Sequence, residues 1–261
     1  MTATVRTEDG DEHVFKLSSD GQKTRAMDRI HAAVFSDDGS KVYVAAGLHL
    51  RCLDLDRGVQ AWSYRPANLY GFLQSTPRAI GITANKNVFL CNDNGTMDLF
   101  RPDGAHVARW RSSLSPNMVS RHYNGSWFYG SDGHGVTVWD PEDRRLIMSI
   151  RSSVRVYALR GFPKSDRVVV RTDAGVSIID AFNGQVQRTF PVGYGLPILD
   201  VSPDGNRILV GQIRGIGIYD LEGHRTGGAE VPGARVLSAR FHPQGGLVLG
   251  TDSGSIVQVP G

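Results

Sequence analysis

Glycines recur at a nearly fixed interval along this chain, and that period constrains the fold more than any other feature. Gly10, Gly47, Gly95, Gly135, Gly175, Gly215 and Gly254 are separated by 37, 48, 40, 40, 40 and 39 residues. A period of about 40 residues implies a supersecondary unit that buries its faces against copies of itself. Each glycine is flanked by short apolar runs, as in KVYVAAG-LHLRCLD, RVVVRTDAG-VSIID and RILVGQIRG-IGIYD. The runs are rich in Val, Ile and Tyr and end in Gly, Asp or Asn, which is how strands joined by tight turns read.

Two further landmarks recur with the glycine. Upstream lie the turns FSDDGSK, HYNGS, GFPKSDR, VSPDGNR and FHPQGG, centred on Gly39, Gly125, Ser165, Gly205 and Gly245. Downstream come the apolar–Asp pairs Leu53-Asp54, Trp139-Asp140, Ile179-Asp180 and Tyr219-Asp220. Their carboxylates suit the turn each pair opens, because a short acidic side chain accepts hydrogen bonds from nearby backbone N–H groups. A fourth apolar stretch ends at Trp62, Trp110, Ile150, Phe190 or Val231. The unit is therefore four strands with no helical periodicity, and the chain is expected to form one all-β domain over 1–261, a β-propeller of four-stranded antiparallel blades.

The Ser-x-Asp-Gly turns, the apolar–Asp pairs and the Trp-Asp at Trp139-Asp140 resemble those of bacterial WD-repeat and YVTN-type β-propellers across nearly the whole chain. The Gly-His pair that usually opens a WD-repeat unit is missing, and LDLDRGVQAW and IDAFNGQVQRTF are similar instead to quinoprotein propellers. The resemblance implies the fold, and it says little about function because propellers host scaffolds, hydrolases, lyases and redox enzymes alike.

Closure of the ring is ambiguous at this level. Residues 1–27 read as three strands (about 3–7, 13–17 and 22–27), five complete units span 29–231, and 236–261 supply three more strands. Seven glycines favour seven blades with incomplete first and last blades. Six are the alternative, with 22–27 completing the last blade and 1–20 forming an extra hairpin. Either way the strand near 255–259 is an edge that a partner's strand could join.

No run approaches the roughly 18 apolar residues of a membrane span, and the polar first residues do not read as a signal peptide, so a soluble cytoplasmic protein without membrane partners is expected. The two cysteines, Cys52 and Cys91, lie in no CxxC and read as small buried apolar residues. A net charge of +3 argues against nucleic acid as the partner. In a propeller, enzymatic sites gather on the innermost strands, expected here at 30–35, 79–83, 118–123, 156–160, 198–202 and 236–241. Asp200 is the only carboxylate among them. His31, His122 and His242 fall at different registers, and no Gly-x-Ser-x-Gly occurs. The expectation is a non-enzyme without cofactor or metal; the alternative is a small hydrolase or lactonase-type propeller with its site in the channel.

One constellation stands out. Arg29, Arg155 and Arg235 each lie ten residues before a turn landmark, and Arg78 holds nearly the same place in its unit. Four guanidinium groups where the chain enters the innermost strands would suit an acidic protein surface. The insertion at 65–77 adds Tyr70 and Phe72, and the loop after Phe190 adds Tyr194, aromatic anchors on the same expected face.

Overall fold

The computed structural model describes residues 2–6, 12–16, 30–66, 75–112, 114, 116–151, 154–193, 195–196, 199–213, 215–242, 245–252 and 256–259. All their regular structure is β, and no helix among them is long and apolar enough to cross a membrane. A hairpin of β1 (Thr2–Arg6) and β2 (Glu12–Lys16) comes first. Blade 1 is β3 (Ile30–Phe35), β4 (Lys41–Ala46), β5 (His49–Asp54) and β6 (Val59–Tyr64). Blade 2 is β7 (Pro77–Ile82), β8 (Val88–Asn92), β9 (Thr96–Phe100) and β10 (His106–Arg111). Blade 3 is β11 (Met118–Arg121), β12 (Phe128–Ser131), β13 (Gly135–Asp140) and β14 (Arg145–Arg151). Blade 4 is β15 (Val156–Gly161), β16 (Arg167–Thr172), β17 (Gly175–Asp180) and β18 (Val186–Phe190). Blade 5 is β19 (Leu199–Val201), β20 (Arg207–Gln212), β21 (Gly215–Asp220) and β22 (Arg225–Ala229). Blade 6 has β23 (Val236–Phe241), β24 (Leu247–Thr251) and β25 (Ile256–Val259).

Strands within each blade pair antiparallel in sequence order, giving five four-stranded sheets and one of three strands. The fold is a β-propeller, with six blades among the described residues in place of the favoured seven. The seventh glycine, Gly10, falls between β1 and β2, and those two strands form a sheet of their own. A free hairpin and a blade hairpin need the same turn residue, so the glycine period could not separate them. The expected strand at 22–27 lies outside the described residues. β25 is the edge of its sheet, and Ile256 on it is 62% exposed.

The chain groups into two compact units, Met1–Val119 with Pro141–Arg144, and Ser120–Asp140 with Arg145–Gly261. In the first, the face of blade 1 that carries Tyr43, Ala45, Leu50 and Cys52 packs on Ile80, Ile82, Val88, Leu90 and Phe100 of blade 2. In the second, Val169, Val176 and Ile178 of blade 4 pack on Leu199, Ile208 and Val210 of blade 5. Leu209 and Ile216 of blade 5 join Ala239, Leu247 and Leu249 of blade 6. The middle strands are covered on both faces: β8, β9 and β13 are buried along their whole length. That is why β8 and β16, VFLCN and RVVVRT, carry unbroken apolar runs, while β9 and β13 bury Asp98 and Thr137 between apolar neighbours. The fourth strands alternate or are largely exposed, as in β18 and β22.

The periodic glycine has a steric cause. At Gly135, Gly175 and Gly215, a Cβ would fall 2.2, 2.3 and 2.2 Å from the carbonyl oxygens of Ile150, Phe190 and Ala229 on or just after the fourth strand. Only a residue without a side chain lets the two backbones approach this closely. The Ser-x-Asp-Gly turns are equally specific. Ser36 Oγ donates to Asp38 Oδ1 and accepts from Lys41 N–H, and Ser202 repeats the pattern with Asp204 and Arg207.

Candidate functional site

Of the seven expected binding residues, Arg29, Tyr70, Phe72 and Tyr194 lie outside the described residues. Of the other three, Arg155 and Arg235 occupy equivalent places just before β15 and β23, whereas Arg78 is the second residue of β7, at the register that Tyr157 and Leu237 hold in blades 4 and 6; all three arginines are exposed. Arg78 and Arg235 meet the turn between the second and third strands of their own blades, and Arg155 is linked to it through Tyr157. Arg78 Nη2 is 3.7 Å from Asp93 Oδ2, and the same carboxylate accepts from Thr76 N–H at 2.8 Å. Asp252 Oδ1 accepts from Arg235 N–H at 3.0 Å. In blade 4 the Arg155 guanidinium lies 5.3 Å from the centre of the Tyr157 ring, and the Tyr157 hydroxyl donates to Asp173. The acidic groups at these arginines belong to the same blade, and they anchor the start of the first strand.

Further along the innermost strands of the second unit, a second register emerges. Ser120, Arg160, Asp200 and Arg240 follow one another at intervals of 40 residues on β11, β15, β19 and β23. Ser120 Oγ accepts the N–H of Gly161 from blade 4 at 3.0 Å. Asp200 Oδ2 accepts the N–H of Phe241 from blade 6 at 3.0 Å. Its Oδ1 is 2.8 Å from Arg160 Nε, at ion-pair distance although without hydrogen-bond alignment. Arg240 is solvent-accessible yet crowded by protein atoms, and its Nη1 donates to Leu199 O and Ala239 O at 3.2 and 3.3 Å. Desolvation and the neighbouring Arg160 charge lower its pKa, while Asp200 opposes them. Asp200 is thus a tie between blades flanked by two cations.

Blade 4 also carries a side chain that the sequence reading passed over. The strand registers place Ala45, Cys91, Ser131, Arg171, Gly211 and Gly250 at one position of the second strand, blade by blade. Five blades hold a residue no larger than Cys there, and blade 4 holds an arginine. Arg171 is buried, and its guanidinium donates to the carbonyls of Gly193, Leu196 and Gly211. It clasps the loop after β18 to β20, and Gly195 makes the approach feasible, since a Cβ there would fall 2.4 Å from Gly211 O. Desolvation lowers the Arg171 pKa, but a guanidinium keeps its proton at any ordinary pH. Beside it opens a cavity of about 350 Å³ lined by Tyr157, Arg171, Thr172, Asp173, Val192, Gly193 and Gly195. Aligning RVVVRT with RILVGQ and NVFLCN would have exposed the substitution.

Among the described residues, no group of three or more His, Cys, Asp or Glu side chains is placed to share a metal ion. Comparison with known proteins found no family model that matches the chain and no curated protein that matches it significantly.

Proposed function

We propose that this chain is a non-catalytic docking platform within a larger cytoplasmic assembly, and that it takes partners with acidic surfaces. One observation carries the reading: Arg155, Arg160, Arg235 and Arg240 lie at or on the innermost strands of the second unit, where among the described residues Asp200 is the one carboxylate on the strands and is already engaged, and the turn carboxylates Asp173 and Asp252 are bonded by the Tyr157 hydroxyl and the Arg235 N–H. The four form two pairs with the same spacing, 80 residues apart on blades 4 and 6. Accessible guanidinium groups fixed on a rigid sheet suit bidentate capture of carboxylates, and little ordering is needed when the partner arrives. Tyr70, Phe72 and Tyr194 are the aromatic anchors of the same surface in this reading, and Arg29 its further cation.

The competing reading, a hydrolase or lactonase-type propeller, would need a carboxylate free to accept a proton or hold a cation. Asp200, held by Arg160 and by the Phe241 N–H, is poorly suited to either task. The test begins with affinity purification of the intact chain from its native cell and measures binding of the recovered protein in a titration. Changing Arg29, Arg155 and Arg235 together to Ala is expected to weaken binding by roughly tenfold or more and to flatten its salt dependence. Affinity that survives the triple change intact rejects the docking surface.

A further inference from the structure

We propose that the blade 4 cavity is a binding site for a small oxyanion-bearing ligand, a carboxylate or a phosphate, received by Arg171. The first support is the break in the repeat. Where the other blades place Ala45, Cys91, Ser131, Gly211 and Gly250, blade 4 sends a long cationic side chain into a space its neighbours keep small. Clasping one loop does not require a formal charge, since a neutral donor would satisfy a carbonyl.

The second support is electrostatic. Arg171 is only 5% exposed, and among the described residues its acceptors are three backbone carbonyls, with no carboxylate at ion-pair distance. A buried charge is ordinarily paired with an opposite one, because carbonyl dipoles only partly replace the lost hydration. Those three bonds use both N–H groups of Nη1 and one of Nη2, so donors remain for a ligand.

The third is room. The 350 Å³ cavity falls at the lower end of the volumes that hold small ligands, roughly 300 to 1,000 Å³. Its walls offer an aromatic ring at Tyr157, an apolar patch at Val192, and the Asp173 carboxylate. Arg155, over the Tyr157 ring, adds a second cation next to the site. Arg171 and Arg155 against Asp173, whose carboxylate already accepts from the Tyr157 hydroxyl, leave one net positive charge, which suits a ligand with a single anionic group.

The inference concerns small molecules and does not depend on the docking surface proposed above. It is tested on the full chain by calorimetric titration and thermal melts with acetate and with inorganic phosphate, against sodium chloride at matched ionic strength. Saturable binding of one anion is expected, and which of the two binds identifies the chemistry. Arg171→Met should weaken it by roughly 10- to 100-fold, the loss of a charge-assisted contact. Asp173→Asn, an exposed turn substitution, removes the competing negative charge and should tighten binding several-fold, and it decides the matter if Arg171→Met does not fold. No saturable response beyond chloride overturns the proposal, as does a response that Arg171→Met leaves intact or that Asp173→Asn leaves untightened.

Discussion

At Gly175 the backbone takes φ +128, and the nearest atom to a built Cβ is the Phe190 carbonyl oxygen at 2.3 Å. Gly39 also has positive φ, +72, but an added Cβ meets nothing within 4 Å. The two glycines therefore separate two costs. Gly39→Ala is expected to cost about 1 kcal/mol, the conformational penalty alone. Gly175→Ala adds a backbone collision that no rotamer relieves and should cost roughly 3 kcal/mol or more. Urea unfolding of both variants checks this, and equal losses would refute the close approach as the reason for the period. The turns make a second prediction. Hydrogen bonds from Ser36 and Ser40 hold the Asp38 carboxyl at about 2, below its ordinary 3.8, and Ser202 lowers that of Asp204. Since the folded pKa lies below the unfolded one, the contribution is complete above about pH 4 and is lost as pH falls towards 2. The melting temperature should drop across that window, and Asp38→Asn should make the drop shallower.

Between blades 1 and 2 of the first unit, adjacent strands are joined by a buried polar network as well as by apolar contact. Asp98 on β9 is fully buried. Its Oδ1 lies 2.7 Å from Arg109 Nε and 2.9 Å from His106 Nε2, and its Oδ2 accepts from Asn92 at 2.9 Å. Tyr64, on the fourth strand of blade 1, reaches the same carboxylate and hydrogen-bonds Arg109. Asp98→Ala would take from Arg109 its carboxylate while Asn92 keeps Thr96 as acceptor, and the expected loss is about 3 kcal/mol in chemical denaturation. Asp98→Asn, which keeps an acceptor oxygen, should lose less. Like Arg171, Asp98 breaks its repeat: the same position holds Thr137, Ser177 and Gly217 in blades 3 to 5. These two residues mark the limit of what could be read from the sequence. Strand positions were legible because turn chemistry is local. The expected innermost strands at 30–35 and 236–241 match β3 and β23, and 156–160 is one residue short of β15. A lone polar residue inside an apolar strand does not reveal whether it meets a partner, a backbone or a cavity, since that depends on the next blade. For the same reason the own-blade carboxylates Asp93 and Asp252 at Arg78 and Arg235 were not foreseen. They lie 15 and 17 residues downstream and meet the arginines only once the hairpin has folded back.

At the scale of the molecule, both cysteines fall in the first unit, Cys52 on β5 and Cys91 on β8, and both are free and fully buried. Burial pushes the Cys52 thiol up to about 11 and raises that of Cys91 as well. Two barriers to modification follow, because a disulfide reagent needs both access and a thiolate. In native buffer near pH 8 the thiols should react orders of magnitude more slowly than a free cysteine, at a rate set by opening of blades 1 and 2. In urea the labelling of both should rise with the loss of the first unit's structure. Trp62 and Trp110 belong to the first unit and Trp127 and Trp139 to the second, so in a variant with Trp62→Phe and Trp110→Phe the remaining fluorescence reports the second unit by itself. Coincident labelling and fluorescence transitions would mean that the two units unfold as one cooperative body, and separated transitions that each is stable by itself. In either case a thiol that reacts rapidly in the native protein would contradict the burial of Cys52 and Cys91, and with it the packing of blade 1 on blade 2.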